Sequence, residues 1–527
     1  MDAPLPLPPT LAERIVARAA GRDRVRPGEI VTARVDLAMI HDSGGPRRVK
    51  PMLEELGTGV WDPERVVVVS DHYVPAVDAQ SAAILKLTRD WVKAQSIRHF
   101  YDQMGICHVV LPERGHLRPG QFVVGGDSHS PTGGAWGAFM FGIGATDMAG
   151  VLATGETWLR VPETILLHWT GALADGVCAK DMMLHLCATL GMDGGRYQVV
   201  QYAGPTIAGL SMTERMTLSN MAAELGAQTG LIAPDAVTAA AIRDAGGDPG
   251  AWQDWQDDPD APVAERHDFD AAGLAPQVAA PHSPANAGPV TDAEPTAIDQ
   301  CYIGACTGAK LEDLHAAARV LKGRRVAAGT RLLLAPASTR ITAATAADGT
   351  LAALTEAGAI LLPSGCGACA GYGAGVLAED ETCMASTARN FRGRMGAASA
   401  KVGLPEVALG ILPGAGGTQR LTKLIGASRA MQYMLLGRTM SPSQAVEYGV
   451  ALSCTNGPVL DAARIIAKRL AAKSPAALAH IKRLVHTQGT TPVEDAHALE
   501  RTLFCDLMVS DNALALMREW DAGIRDI

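Results

Sequence analysis

Three cysteines are the first residues in this chain whose spacing could do chemistry. Cys306 lies in Gly304-Ala-Cys-Thr-Gly308, and sixty residues later comes Gly365-Cys366-Gly-Ala-Cys369. Glycine beside a thiolate lets the backbone approach closely and donate N–H bonds to sulfur. A structural zinc site wants four closed ligands, so three thiolates fit it poorly. They suit a [4Fe–4S] cluster with one iron left open. On spacing alone a chance grouping of buried thiols fits equally well. The ten cysteines of a 527-residue chain mostly stand singly, which is no disulfide framework and points to a reducing, cytoplasmic compartment.

Histidine–carboxylate pairs come second. Asp71-His72 closely follows the run Val66–Val69, and Asp127-Ser128-His129 follows Phe122-Val-Val-Gly-Gly126. His108 sits inside a third apolar run, Cys107–Leu111. A carboxylate beside an imidazole fixes its tautomer and raises its pKa, which makes an acid–base unit. Taken singly, each histidine reads more readily as a satisfied core residue or part of a surface loop. Third is Arg389-Asn-Phe-Arg-Gly-Arg394, whose guanidiniums suit a two-pronged grip on carboxylates. Alone, such a run is also a solvated face.

These residues need elements to hold them. Residues 25–235 alternate short apolar runs with Gly-rich turns and helical stretches, which is α/β patterning. Thr10-Leu-Ala-Glu13 reads as a capping box opening a helix to about Ala20. Residues 1–235 therefore form one α/β region. Residues 236–297, rich in Ala, Asp, Pro and Gly, read as a poorly packed connector. Residues 298–396 return to α/β patterning, with a helix over 311–321 and a strand over 331–335. Residues 397–527 are almost wholly helical, with Ser441-Pro442 and Ser474-Pro475 opening helices and Val459, Ala463, Ile466 and Leu470 on one helical face. Ala135–Thr154 carries Asp147 and several glycines, so it reads as buried core rather than a membrane span. The charge of −9 argues against nucleic acid or an anionic membrane as partner.

Together the motifs become specific. Residues from about 10 to 396 resemble the aconitase family, and within it the large subunits of the isopropylmalate dehydratases. The resemblance rests on Asp71-His72, Gly126-Asp-Ser-His-Ser-Pro-Thr-Gly-Gly134, Met216-Thr-Leu-Ser-Asn-Met-Ala-Ala-Glu224-Leu-Gly-Ala, the three cysteines and Arg389-Asn-Phe-Arg-Gly-Arg-Met-Gly396. It implies a three-subdomain α/β/α core, with Cys306, Cys366 and Cys369 holding a [4Fe–4S] cluster that serves as Lewis acid. It implies a hydro-lyase that isomerises a small hydroxy di- or tricarboxylate by dehydration and rehydration. His72, oriented by Asp71, would protonate the departing hydroxyl, with His108, Asp127, Ser128, His129 and Glu224 completing the catalytic set. His41, Asn220, Arg389 and Arg394 would contact substrate. The family's base lies on a swivelling domain that isopropylmalate dehydratases carry on a separate small subunit, so a heterodimer or heterotetramer is implied.

The sequence departs from the family pattern at Ala388, where the family has Asn, and at Thr307-Gly308, where it usually has Thr-Asn. Residues 402–527 instead resemble the C-terminal half of an enoyl-CoA hydratase of the crotonase family, through Gly403-Leu-Pro-Glu406-Val-Ala-Leu-Gly-Ile-Leu-Pro413-Gly-Ala-Gly-Gly-Thr-Gln-Arg420. Glu406 matches one of that family's two catalytic glutamates. The other, and the oxyanion-hole segments, have no counterpart here, which implies a vestigial acid. Two alternatives to the hydro-lyase follow: a catalytically impaired chimera of two truncated domains, or an enoyl-CoA hydratase-like protein.

Overall fold

The computed structural model describes residues 7–293 and 295–396. Beyond them it describes 402–403, 417–435, 439–440, 442–452, 459–471, 473–487, 493–510, 514–515 and 517–518. The chain divides into two units, Met1–Ala398 and Ser399–Ile527.

The first unit contains three parallel sheets. Helix α1 (Leu11–Ala19) opens with the expected capping box: the Glu13 N–H donates to Thr10 Oγ1 at 3.2 Å, and the Thr10 N–H donates to Glu13 Oε2 at 2.6 Å. The first sheet comprises β1 (Leu37–His41), β2 (Val66–Ser70), β3 (His99–Asp102), β4 (Phe122–Gly125) and β5 (Phe139–Gly142), in the order β3-β2-β1-β4-β5. Every residue of β1, β2 and β4 is buried. That explains why they read as unbroken apolar runs: a parallel sheet covered on both faces needs no polar alternation. The strand order reverses between β1 and β4, and a crevice opens at the carboxyl ends beside such a point.

The second sheet joins β6 (Thr164–Thr170), β7 (Val199–Ala203), β8 (Thr229–Ile232) and β9 (Glu265–Asp270), in the order β8-β7-β6-β9. The third joins β10 (Gln300–Ile303), β11 (Arg331–Leu334), β12 (Ala359–Leu361) and β13 (Cys383–Ala385), in the order β12-β11-β10-β13. It too reverses beside its first strand. The helices that matter for the site are α2 (Cys107–Glu113), α3 (Ala179–Leu190), α4 (Met212–Met221) and α5 (Leu311–Leu321).

Two sequence expectations are corrected and a third holds. The run Cys107–Leu111 is helix α2 rather than a strand. Its first N–H donates to Asp71 Oδ2 at 2.7 Å, so a buried carboxylate sits at the helix N-terminus where the backbone dipole favours it. So short an apolar run carries no period that separates helix from strand. Residues 236–297 are more than a connector. They supply a helix over Ala236–Asp244 and strand β9, which pairs with Ile165–Thr170 of β6. The strand hides in the sequence because Glu265-Arg-His-Asp-Phe-Asp270 is a charged edge strand. Ala135–Thr154 breaks into a 3-10 turn ending at Trp136, strand β5 and a helix over Ala145–Thr154. No helix among the described residues is long and apolar enough to cross a membrane.

The second unit has helices α6 (Gly417–Ile425), α7 (Ala427–Leu435), α8 (Pro442–Glu447), α9 (Val459–Ala471), α10 (Pro475–Thr487) and α11 (Val493–Met508). Leu421, Ile425, Ala430, Tyr433, Met440 and Ala445 form a small core. On the apolar face expected on α9, Ala463 and Leu470 are exposed and Ile466 is half-buried among the described residues. Glu406 lies outside the described residues.

Candidate active site

The site is built at strand ends. His41 closes β1, Asp71-His72 follow β2, and Asp127-Ser128-His129 follow β4. From the third sheet, Cys306 follows β10, Cys366 and Cys369 follow β12, and Arg389 follows β13. The loops meet around one cavity of about 250 Å³, lined by His41, Asp71, His72, His108, Asp127, Ser128, His129, all three cysteines, Arg389 and Arg394. Of the predicted residues placed here, Asn220 and Glu224 stand one layer back.

His72 and Asp71 form a buried ion pair. His72 Nδ1 donates to Asp71 Oδ1 at 2.7 Å, leaving Nε2 to face Asp127 Oδ2 across 3.8 Å. Burial opposes the charged imidazole, but Asp71, Asp127 and Asp42 outweigh it and raise the His72 pKa to about 9. For Asp71, burial is likewise overcome by the His72 charge and hydrogen bond, and its pKa falls to about 2. His72 is therefore an imidazolium at neutral pH, a proton donor with its free N–H at the cavity.

Asp127 is the hub. Its Oδ1 accepts from His108 Nε2 at 2.8 Å and from the His129 backbone N–H at 2.8 Å. His129 Nε2 reaches Glu224 Oε1 at 3.0 Å, and the same oxygen accepts from Arg389 Nε at 2.7 Å. Arg389 Nη1 then donates to Ser128 Oγ at 2.9 Å. Glu224 does not share a helix with Asn220, as its spacing suggests. Helix α4 ends at Met221, and Glu224 sits in the turn that follows.

His41 lines the cavity at the end of β1. Its Nε2 donates to the Gly126 carbonyl at 3.0 Å, its Nδ1 accepts from the Ser43 and Gly44 N–H groups, and its ring stacks on His72 at 4.1 Å. Both nitrogens are engaged, and the ring supports His72 from one face. Sequence reasoning missed Asp42. This fully buried carboxylate accepts from the N–H groups of Asp71, His72 and Tyr73 at 3.2, 3.0 and 2.8 Å, pinning the loop that carries the acid. The available signal was a His-Asp pair directly after a strand, mirroring Asp71-His72.

The three cysteines fit a polynuclear cofactor. Two groups of ligand-type atoms close within 4.8 Å among the described residues: His41, Asp42, Asp71, His72 and His108, Asp127, His129. The cysteines are in neither, whereas one tetrahedral ion would draw thiolates to about 2.3 Å from a common centre. The hydrogen bonds within both groups mark them as proton networks. On the cavity, His108 Nδ1 and Arg394 Nε are buried with no hydrogen-bond partner, as are Asn220 Oδ1 and Glu224 Oε2 one layer back. Orphaned polar atoms clustered at one cavity mark the place of a bound group. Asn220 Nδ2 donates to Cys306 Sγ at 3.2 Å, which places it beside the thiol rather than on the cavity wall. A hydrogen bond from Cys366 pulls the Cys369 thiol down to about 6 against burial, aided by Arg394, while burial pushes Cys306 up to about 12.

Both family departures have local reasons. A Cβ at Gly308 would meet the Ser386 side chain and carbonyl at 2.4–2.5 Å. Ser386 Oγ accepts from the Gly304 N–H at 3.0 Å and bridges to the Gly304 and Gly308 carbonyls. The serine thus ties the cysteine loop in the space a larger residue 308 would need. Gly308→Asn is expected to destabilise the chain by about 1–3 kcal/mol through overpacking. Thermal unfolding of Gly308→Asn beside wild type checks this, and an unshifted midpoint would show that the Ser386 backbone gives way to a larger residue 308. Ala388 is buried in the apolar cluster that also holds Val177, Met183 and Leu210.

A parallel α/β fold that brings an imidazolium–carboxylate acid, paired guanidiniums and three thiols to one cavity defines an acid–base enzyme with a place for a thiolate-held cofactor. Residues 13–409 match the Aconitase family (aconitate hydratase), and residues 394–517 match the family Enoyl-CoA hydratase/isomerase. The chain is 48% identical over 389 residues to the 3-isopropylmalate dehydratase large subunit 1 of Methanopyrus kandleri, covering 73% of this chain and 92% of that one. It is 44% identical to the "Probable methanogen homoaconitase large subunit" of Methanothermobacter thermautotrophicus, covering 76% and 94%. Among solved structures it is similar to Thermococcus kodakaraensis aconitase X in its holo form, at 14% identity and a TM-score of 0.40 over 64% of this chain and 80% of that one. The chain belongs to the aconitase family, with a crotonase-family segment at its C-terminus.

Proposed function

We propose that this chain is the large subunit of an iron–sulfur hydro-lyase that isomerises a small hydroxy di- or tricarboxylate of the 3-isopropylmalate kind. The observation that carries it is the meeting of Cys306, Cys366 and Cys369 with the His72–Asp71 acid around one cavity. Held by the three cysteines, a [4Fe–4S] cluster would supply a Lewis-acidic iron for the substrate hydroxyl and one carboxylate.

The chain's own residues do the rest. His72 Nε2 gives its proton to the departing hydroxyl and takes one back on rehydration, while Asp71 and Asp42 keep the imidazolium charged and oriented. Arg394, with Nε free of protein partners, and Arg389 grip substrate carboxylates. Asp127 fixes His108 and His129 around the reacting hydroxyl, and Asn220 steadies Cys306. A small subunit completes the site and brings the base that removes the carbon-bound proton. The relatives' designation as large subunits supports that partner. A cytoplasmic setting suits the unpaired thiols.

Anaerobic reconstitution with iron and sulfide should give a brown protein with a broad visible band. Cys306→Ala should give an almost colourless one. Mixed with a small subunit, the reconstituted chain should turn over one of a panel of hydroxy diacids, and Cys306→Ala should not. A wild-type chain that takes up neither iron nor sulfide would remove this reading.

A further inference from the structure

Lys310 is the most deeply buried lysine near the thiols, at 3% exposure. Its ammonium donates to Thr217 Oγ1 at 3.0 Å and to the Cys306 carbonyl at 3.2 Å, and forms an ion pair with Asp313 Oδ2 at 3.2 Å. Burying an ammonium is costly unless it is paired and hydrogen-bonded, so these three contacts fix its position closely. Two of them have consequences for the site. Thr217 lies one turn before Asn220 on α4, and Asn220 donates to Cys306 Sγ. One helix therefore grips Cys306 twice, at sulfur through Asn220 and at its carbonyl through Lys310. The counter-ion, Asp313, has a side chain 29% exposed, so solvent screens it while the lysine head stays dry. A second ammonium does parallel work on the arginine loop: Lys180, on α3, donates to the Thr387 carbonyl at 2.8 Å.

We propose that Lys310 is a positioning residue for the cysteine-held cluster, seating Cys306 against α4 and setting a fixed positive charge behind its thiolate. This rests on the cluster reading above. One-electron reduction adds negative charge to a cluster, and cluster potentials follow local charge and burial. A dry ammonium behind one ligand favours the reduced state. It also offsets part of the cost of gathering thiolates, cluster and substrate carboxylates in one buried place.

The test uses the full-length chain, reconstituted anaerobically with iron and sulfide as wild type, Lys310→Met and Lys310→Arg. Iron and sulfide contents are measured first, and the midpoint potential is then followed by the cluster's EPR signal. In Lys310→Met the one-electron equilibrium should shift at least tenfold towards the oxidised form, a potential about 59 mV lower. Lys310→Arg, which keeps the charge, should stay near wild type. A purely structural lysine would lower thermal stability and leave the potential of the loaded protein unmoved. Should Lys310→Met not fold, Lys310→Gln, which keeps a donor and removes the charge, carries the same measurement. A wild-type potential in a loaded, uncharged variant overturns the proposal and leaves the cluster reading standing. A wild type without iron and sulfide overturns the cluster reading itself.

Discussion

His72→Asn should lower kcat by about 10²–10⁴-fold, the usual contribution of one positioned general acid. His72 holds the proton nearest the cavity, on a ring whose other nitrogen is bound to Asp71 at 2.7 Å. The pH profile separates loss of an acid from loss of structure. Because the folded-state pKa is raised to about 9, the wild-type rate should hold through neutral pH and fall above about pH 9 as the imidazolium deprotonates. His72→Asn should lose that limb. Stability follows the same linkage. The contribution of the raised histidine is fully present below its ordinary value of 6.5 and is lost as pH rises through about 9. Asp71, held down at about 2, contributes above its ordinary value of 3.8 and loses that contribution as pH falls towards 2. A variant that kept wild-type kcat would remove His72 from the acid role.

Arg389→Met should be the most destabilising change in the site. Glu224 is 1% exposed and holds two partners, His129 and Arg389, on one oxygen. Deleting the guanidinium leaves a buried carboxylate half-compensated, which typically costs about 3–5 kcal/mol. Urea or thermal unfolding of the chain without cofactor reads this directly. In the loaded enzyme KM should rise as well, since a substrate carboxylate loses one of its two arginines. Arg389→Lys should recover little. The native contact uses Nε for Glu224 and Nη1 for Ser128, a fork that a single ammonium does not reproduce. Unchanged stability in Arg389→Met would show that Glu224 is not ionised in the fold.

Much of this was legible in the sequence, for identifiable reasons. Val66–Val69 and Phe122–Val124 read as strands because a strand buried on both faces is an unbroken apolar run. Asp71-His72 and Asp127-His129 then fall at strand ends without further information. The capping box at Thr10-Glu13 and helix 311–321 are local patterns, fixed by hydrogen bonds within one turn. The three cysteines and their glycines were equally visible, and the identity of each thiol is settled by residue type alone.

What lay outside the sequence's reach is long-range. Cys107–Leu111 becomes a helix because Asp71, thirty-six residues away, caps it with a carboxylate. The charged stretch 265–270 becomes a strand because β6 offers it a ladder. Asp42 looks like any surface aspartate until the β2 loop folds back and presents three N–H groups to it. His41 is held against the His72 ring by the Gly126 carbonyl, eighty-five residues on. The sequence by itself determined which groups can carry protons, charge and sulfur, because those are properties of single residues and their neighbours. Only the tertiary structure decided which of them meet, because two sheets reverse beside their first strands and turn separate loops onto one cavity.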